Sequence, residues 1–355
     1  PNGRRLDEAL SGLDFMVSVD YYINETTRHA DIILPPTAAL ERSHYDIIFN
    51  MLAVRNVSKY SEALFNAGPD SRHDWQILLE LAHRLEKSRK GGKLPIRSEL
   101  GWRAFKQTGP DPIIDLLLRT GPYGADTGRA RGLLEPATGV IMNLLPKHHP
   151  LRGLAKLSSL NPQWQELPKG LSLQRLKEHP SGIDLGALRP ALPNRLFTRD
   201  GKIHLAPRRY LADVERLHRQ LSGPEPSDGL LLIGRRHVRS NNSWMHNSRR
   251  LVKGKDRCTL LINPHDASRL GLQAGSKAQI NAADRQVILP VEITEDMMPG
   301  VVSIPHGWGH DRDGTRQSTA SAHAGASIND LLSDQDTDPV AGTSVLNGQP
   351  VTVKV

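Results

Sequence analysis

Between Gly234 and Asn247 the chain gathers three arginines, two histidines, two serines and three asparagines, directly after four apolar residues. The run 230–246 reads LLLIGRRHVRSNNSWMH, which predicts a short strand covered on both faces that breaks into hydrogen-bonding groups. Arg235, Arg236 and Arg239 carry the planar guanidinium that pairs with phosphate, and Ser240, Asn241, Asn242 and Ser243 suit a heteroaromatic ring with many polar edges. Gly234 leaves room for a ligand to approach the backbone. On composition alone a solvated loop between strands explains the run equally well. Further walls for a site are available in PHGWG (305–309) and SINDLL (327–332).

Other chemistries leave weaker traces. HGWGH sets His306 and His310 four apart, as in a helical zinc pair, but two glycines lie between them and no Glu does. His148 and His149 are adjacent and diverge on any regular element, so they read as loop surface. No G-x-S-x-G, G-x-G-x-x-G or G-x-x-x-x-G-K-[ST] pattern follows a strand, so neither a serine nucleophile nor a familiar nucleotide loop is indicated. The single cysteine, Cys258, permits no internal disulfide and no iron–sulfur cluster held by this chain's cysteines alone.

The elements that must position these residues fall into three segments. Residues 13–86 alternate strand and helix: LDFMVSVD (13–20), ETTRHA (25–30), DIILP (31–35) and HDWQILLELAHRLEK (73–87). In the last of these Trp75, Leu78, Leu79, Ala82 and Leu85 recur at helical spacing, predicting a face laid on a sheet. Two strands make an incomplete α/β domain. Residues 91–228 read as a connecting region with helix over 112–120 and 208–221. Short strands at close spacing fill 229–355 and predict a small barrel: LLLI, TLLINP (259–264), SKAQINA (276–282), QVILPVEIT (286–294), GVVSIP (300–305) and PVTVKV (350–355). One helix interrupts them, with Asn263 as its N-cap, Pro264 at its first position and Gly271 closing it.

No run approaches the length of a membrane span, and no signal peptide is visible at PNGRRLDEAL, which lacks an initiator Met; the expectation is a fragment of a longer chain. A net charge of +8 over 355 residues points to an anionic partner. Its arginines and lysines are spread along the chain, and aromatics make up only 5%, which opposes a nucleic-acid platform.

Taken in order, the segments resemble the molybdopterin oxidoreductase family, the bis-molybdopterin guanine dinucleotide enzymes that include formate dehydrogenases, nitrate reductases and biotin sulfoxide reductase. The resemblance is carried by VSVDYYINETTRHADIILPPTAALE (17–41) and LLIGRRHVRSNNSWMH (231–246). It continues through LLINPHDASRLGLQAGSKAQI (260–280), VEITEDMMPGVVSIPHGWG (291–309) and SINDLLSDQDTDPVAGTSVLNGQPVTVKV (327–355). The implied fold is an α/β Rossmann-like part-domain (1–90) followed, after 91–228, by a double-psi β-barrel (229–355). The implied cofactor is molybdopterin guanine dinucleotide with molybdenum or tungsten; the metal-ligating residue and an iron–sulfur cluster belong to a missing N-terminal half.

Carried over residue by residue, Val19 and Asp20 meet a guanosine, and Arg42 matches a basic position near the nucleotide that the family often fills with Lys. Asp74 matches a family Asp before Trp, although Ser71-x-x-Asp74 also reads as a capping box. Residues Ile233, Gly234, Arg235, Arg236, Arg239, Ser240, Asn241 and Asn242 embrace pterin and pyrophosphate, with Ser243 and His246 nearby. His306, Gly307, Trp308 and Asn329 complete the set, and Asn347 lies where several relatives have a Lys. No catalytic residue or metal ligand is expected in this chain. The implied partners are the N-terminal remainder of the enzyme, an electron-transfer subunit and a small-molecule substrate, with no nucleic acid and no membrane span. A cytoplasmic enzyme is expected, with the periplasm as the alternative. The rival functions are a cofactor-less structural subunit of a respiratory complex and a basic nucleic-acid-binding protein.

Overall fold

Period-two alternation shapes the C-terminal segment: Gln349–Lys354 buries Gln349, Val351 and Val353, while Lys277–Ala282 buries Ala278, Ile280 and Ala282. The structure, a computed structural model, describes residues 1–93, 95–124, 170–190, 192–193, 196–223 and 229–355. His148, His149 and the turn-rich stretches at 125–169 and 224–228 lie outside the described residues. The strands are β1 (Val17–Ser18), β2 (Ile32–Ile33), β3 (His44–Tyr45), β4 (Arg55–Ser58), β5 (Tyr60–Ser61), β6 (Ile183–Ala187) and β7 (Leu230–Arg235). They continue with β8 (Leu260–Ile262), β9 (Lys277–Ala282), β10 (Arg285–Ile293), β11 (Val301–Pro305) and β12 (Gln349–Lys354). Contacts divide the chain into two units, Pro1–Pro35 with Ala206–Val355, and Pro36–Leu205.

In the first unit six strands close into a barrel in the order β10-β8-β11-β7-β12-β9. β7 runs parallel to β11 and β8 parallel to β10, and the other neighbours are antiparallel, giving the expected double-psi β-barrel. Closure leaves no unpaired edge. Leu232, Leu260, Ile262, Ile280, Val302 and Ile304 are fully buried inside. The apolar quartet of β7 is not covered on both faces: Leu230 and Leu232 point inward, whereas Leu231 and Ile233 are 36% and 37% exposed. A strand in a closed barrel has one inner face, so an unbroken apolar run does not make it doubly covered.

The helix Pro264–Arg269 follows its sequence signals, with Asn263 accepting a hydrogen bond from the His265 amide at 2.8 Å and Gly271 at φ 67°. Asn263 also donates to the Met297 carbonyl, at 2.6 Å, so it is a cap and a brace. At the N-terminus β1 pairs in parallel with β2, the α/β element that the sequence predicts, although each strand is two residues long. The short helix expected over 25–30 is a single 3-10 turn, Thr27–His29. An additional helix, α1 (Gly3–Ser11), is started by the Asn2 side chain, which accepts from the Arg5 amide at 3.3 Å; the Asn2 amide itself donates to Leu332 O at 2.8 Å.

The second unit carries α2 (Asp74–Arg89), α3 (Ile96–Thr108) and α4 (Asp111–Thr120), with antiparallel β3–β5 and β4–β6 pairs. Its core gathers Tyr60, Leu118, Leu171, Leu173, Leu176 and Leu185. Two expectations change here. The apolar stripe of α2 meets α3 rather than a sheet: His83 stacks on Trp102 with centroids 4.0 Å apart and Trp75 meets Phe105 edge-on at 5.4 Å, while Leu78 and Leu85 stay exposed. Nor does Ser71 cap this helix. Its N-cap is His73, whose amide donates to the Gln76 side chain at 2.9 Å, so Asp74 is the first helical residue. Among the described residues no helix is long and apolar enough to cross a membrane.

Candidate functional site

The loop after β7 cannot follow a regular path, because Asn241 and Asn242 take left-handed backbone angles, φ 42° and 62°. Asparagine tolerates that region better than most residues. The turn is tied internally: Ser240 is buried, its hydroxyl donates to His237 O at 2.9 Å, and its carbonyl accepts from the Met245 amide at 3.1 Å. It seats against the segment after β11. Gly307, at φ 90°, lies so close that a Cβ there would stand 2.2 Å from Asn242 O and 2.4 Å from Asn242 C.

These two loops, α1 and the segment 324–330 enclose a cavity of about 860 Å³. Of the predicted residues, Asn242, Ser243, His306, Gly307, Trp308 and Asn329 line it. The Asn329 amide has no hydrogen-bond partner among the described residues, which leaves two donors and an acceptor for a ligand. Arg236 pairs with the Asn242 side chain and, like Arg239, is exposed.

Arg235 is employed differently. Its guanidinium crosses the barrel end, donating to Ser303 O at 2.7 Å, Thr259 O at 2.7 Å, Thr259 Oγ1 at 3.0 Å and Arg257 O at 3.1 Å. Burial lowers its pKa, opposed by the nearby Glu292 carboxylate. It is a strut between strand ends. The Gly234 amide donates to Asn347 Oδ1 at 2.8 Å, so Asn347 also braces β7. Ile233 is partly exposed on β7.

Val19, Asp20 and His246 are not among the residues that line this cavity. Val19 and Asp20 follow β1, and the Asp20 carboxylate already accepts from the Tyr21 amide at 2.6 Å, the Tyr22 amide at 3.3 Å and Asn24 Nδ2 at 2.9 Å. Arg42 and Asp74 lie in the second unit and pair with each other beside a cleft of about 600 Å³.

The sequence reading names His246 but misses its neighbours Glu25 and His310, which line the cavity. Glu25 Oε1 accepts from the His310 amide at 2.6 Å and lies 3.0 Å from His310 Nδ1, off the line of an N–H···O bond. His310 Nε2 is 2.8 Å from His246 Nδ1, and the His246 ring tilts against Trp308 with centroids 4.3 Å apart. His246 Nε2 is buried and has no partner among the described residues. Burial works to raise the Glu25 pKa, but the hydrogen bond from His310 and its positive charge outweigh that and hold it at about 2. Burial and the charge of His310 push His246 down to about 4. The available signal is HGWGH itself: its glycines, at φ 90° and 143°, form the bend that turns His310 inward, whereas the sequence reading places His306, Gly307 and Trp308 at the cofactor and weighs His310 only in a helical zinc pair.

Both shifts are depressions, so they stabilise the fold at neutral pH and are lost in acid. The His246 contribution is present above its ordinary 6.5 and fades as pH falls toward about 4; the Glu25 contribution is present above 4.5 and fades toward about 2. Melting temperature measured against pH is therefore expected to fall in two successive limbs, and His246→Gln to remove the upper one. An unchanged upper limb in that variant would assign it to another group.

Outside the cavity Cys258 is packed beside Gly325, and burial pushes its thiol up to about 12, leaving it unreactive. Among the described residues no three His, Cys, Asp or Glu side chains gather as a metal-binding group.

Comparison with known proteins agrees with the barrel and with the N-terminal segment. Residues 230–350 match the family model described as "Molydopterin dinucleotide binding domain", and residues 1–84 match "Molybdopterin oxidoreductase". The dimethyl sulfoxide/trimethylamine N-oxide reductase of Rhodobacter capsulatus is 26% identical over 370 residues, covering 99% of this chain and 39% of the relative. The assimilatory nitrate reductase catalytic subunit of Bacillus subtilis (strain 168) is 36% identical over 89 residues, covering 25% of this chain and 12% of that protein. Acetylene hydratase from Pelobacter acetylenicus shares the fold, with TM-score 0.62 at 17% identity over 99% of this chain and 42% of that one. The chain thus spans about two fifths of the length of relatives that match it throughout. With both models matched in order along one chain, the protein belongs to the molybdopterin oxidoreductase family.

Proposed function

We propose that this chain is the cofactor-binding C-terminal part of a molybdenum or tungsten oxidoreductase and that it holds molybdopterin guanine dinucleotide against the barrel. The observation that carries the reading is the cavity of about 860 Å³ formed by the loops after β7 and β11 within the stretch that matches the dinucleotide-binding model. Its donor set fits a pterin: the unpaired Asn329 amide and the Asn242 and Ser243 side chains, on a loop that Gly307 allows to pack closely against the segment after β11. Arg236 and Arg239, exposed at the rim, suit a diphosphate. Arg235 contributes by holding the strand ends in place.

When bound, the cofactor would supply a metal centre held by the pterin dithiolene for two-electron chemistry. The work of this chain is to orient the pterin by hydrogen bonds, exclude water with Trp308 and hold the loop through Gly307. Val19, Asp20, Arg42 and Asp74 are assigned to the nucleotide end, 1–90 to the tail of the α/β domain, 91–228 to a connecting region and 229–355 to the barrel domain. The complete enzyme passes electrons between a small substrate and an iron–sulfur partner located elsewhere in the enzyme or in a second subunit. We assign it to the cytoplasm, with a leader upstream as the feature that would send it to the periplasm.

The test is extraction of the metal-replete, full-length protein. A guanine-containing pterin is expected in the extract; its absence would favour the cofactor-less structural subunit. The isolated fragment is expected to catalyse nothing.

A further inference from the structure

We propose that Glu25, His310 and His246 form a proton store that takes up the proton accompanying electron transfer to the group bound in the cavity, a role that rests on the cofactor-binding reading above. The three groups lie in succession: Glu25 Oε1 accepts from the His310 amide and stands 3.0 Å from His310 Nδ1 without a hydrogen bond to it, and His310 Nε2 is 2.8 Å from His246 Nδ1. Glu25 and His310 both line the cavity, whereas His246 is 3% exposed and ends the line with an unpartnered buried Nε2. A purely structural pin would not need two imidazoles in series behind a carboxylate, with the innermost nitrogen unsatisfied.

The charge balance fits one mobile proton. Between the two facing ring nitrogens there is room for one N–H, so the pair holds either one imidazolium or none, and the Glu25 carboxylate neutralises the charged state. Uptake forms an N–H bond on the imidazole pair with a proton given up by a hydronium ion or water in the cavity, whose O–H bond breaks; within the pair the proton passes by breaking the N–H bond of His310 Nε2 and forming one at His246 Nδ1, with no change in oxidation state. The other titratable group bearing on His246 is His237, from the loop after β7, whose charge opposes protonation; Trp308 closes the remaining face without charge. A second proton therefore cannot be stored there cheaply, and the store has a capacity of one.

The experiment is a potentiometric titration of the cofactor metal, followed by its electron paramagnetic resonance signal in the full-length holoenzyme at several pH values. For one proton per electron, each tenfold change in proton concentration moves the potential by 59 mV. The wild type is expected to follow that slope across neutral pH, and Glu25→Gln, which keeps the acceptor for the His310 amide but removes the charge, to lose it. His246→Gln gives the same readout if the first variant does not fold. A slope unchanged in a folded variant would overturn the proton store while leaving cofactor binding intact. A protein with no pterin and no metal signal would instead overturn the functional reading, and the store with it.

Discussion

Gly307→Ala is expected to destabilise the barrel unit by about 2–5 kcal/mol and to strip the protein of its cofactor. Two separate costs add. The backbone at φ 90° is a region that L-residues avoid, at about 1–2 kcal/mol. A methyl group 2.2 Å from Asn242 O and 2.4 Å from Asn242 C must also push back the backbone of the neighbouring loop, an overpacking cost of about 1–3 kcal/mol. That backbone carries the left-handed Asn241–Asn242 turn, so relief of the clash displaces Asn242 and Ser243 from the cavity wall. Gly271→Ala is the control: its φ is 67°, nothing lies within 4 Å of the added carbon, and only the strain cost of about 1 kcal/mol is expected. Urea denaturation and pterin content of both variants measure the difference. If Gly307→Ala matched its control in both, the two loops would not be pressed together as described.

Arg235→Met is expected to cost about 3–4 kcal/mol in stability, because an apolar chain of similar length leaves the Ser303, Thr259 and Arg257 carbonyls without a donor at the barrel end. Arg236→Ala is expected to change stability by less than about 0.5 kcal/mol, since Arg236 is exposed, and to weaken cofactor retention in a salt-dependent way. Thermal melts in low and high salt separate the two roles. Equal losses of cofactor in both variants with no loss of stability in the first would return Arg235 to the phosphate-binding set.

That pair of arginines marks the limit of what a linear reading can assign. Adjacent in sequence and chemically identical, they part at the strand end: Arg235 closes β7 and is turned onto the barrel end, whereas Arg236 begins the loop and is exposed. The boundary of β7 decides which: the apolar quartet predicts a strand ending near Ile233, and the structure carries it to Arg235. Asp74 makes the same point in the second unit, where its spacing from Ser71 allowed a cap, but the reach of Gln76 back to His73 moved the helix start.

The sequence by itself determined the barrel strands, the Asn263-capped helix, the α/β character of the N-terminal segment, the loops that wall the cavity and the family to which the chain belongs. All of these rest on local periodicity, turn chemistry or motif order, which act over a few residues or a continuous run. Only the tertiary structure decided which donors are free and which are consumed, and it brought Glu25 onto His310 across 285 positions of chain. Such partners are chosen by barrel closure and by the fit of two loops at Gly307, neither of which leaves a periodic trace in the sequence.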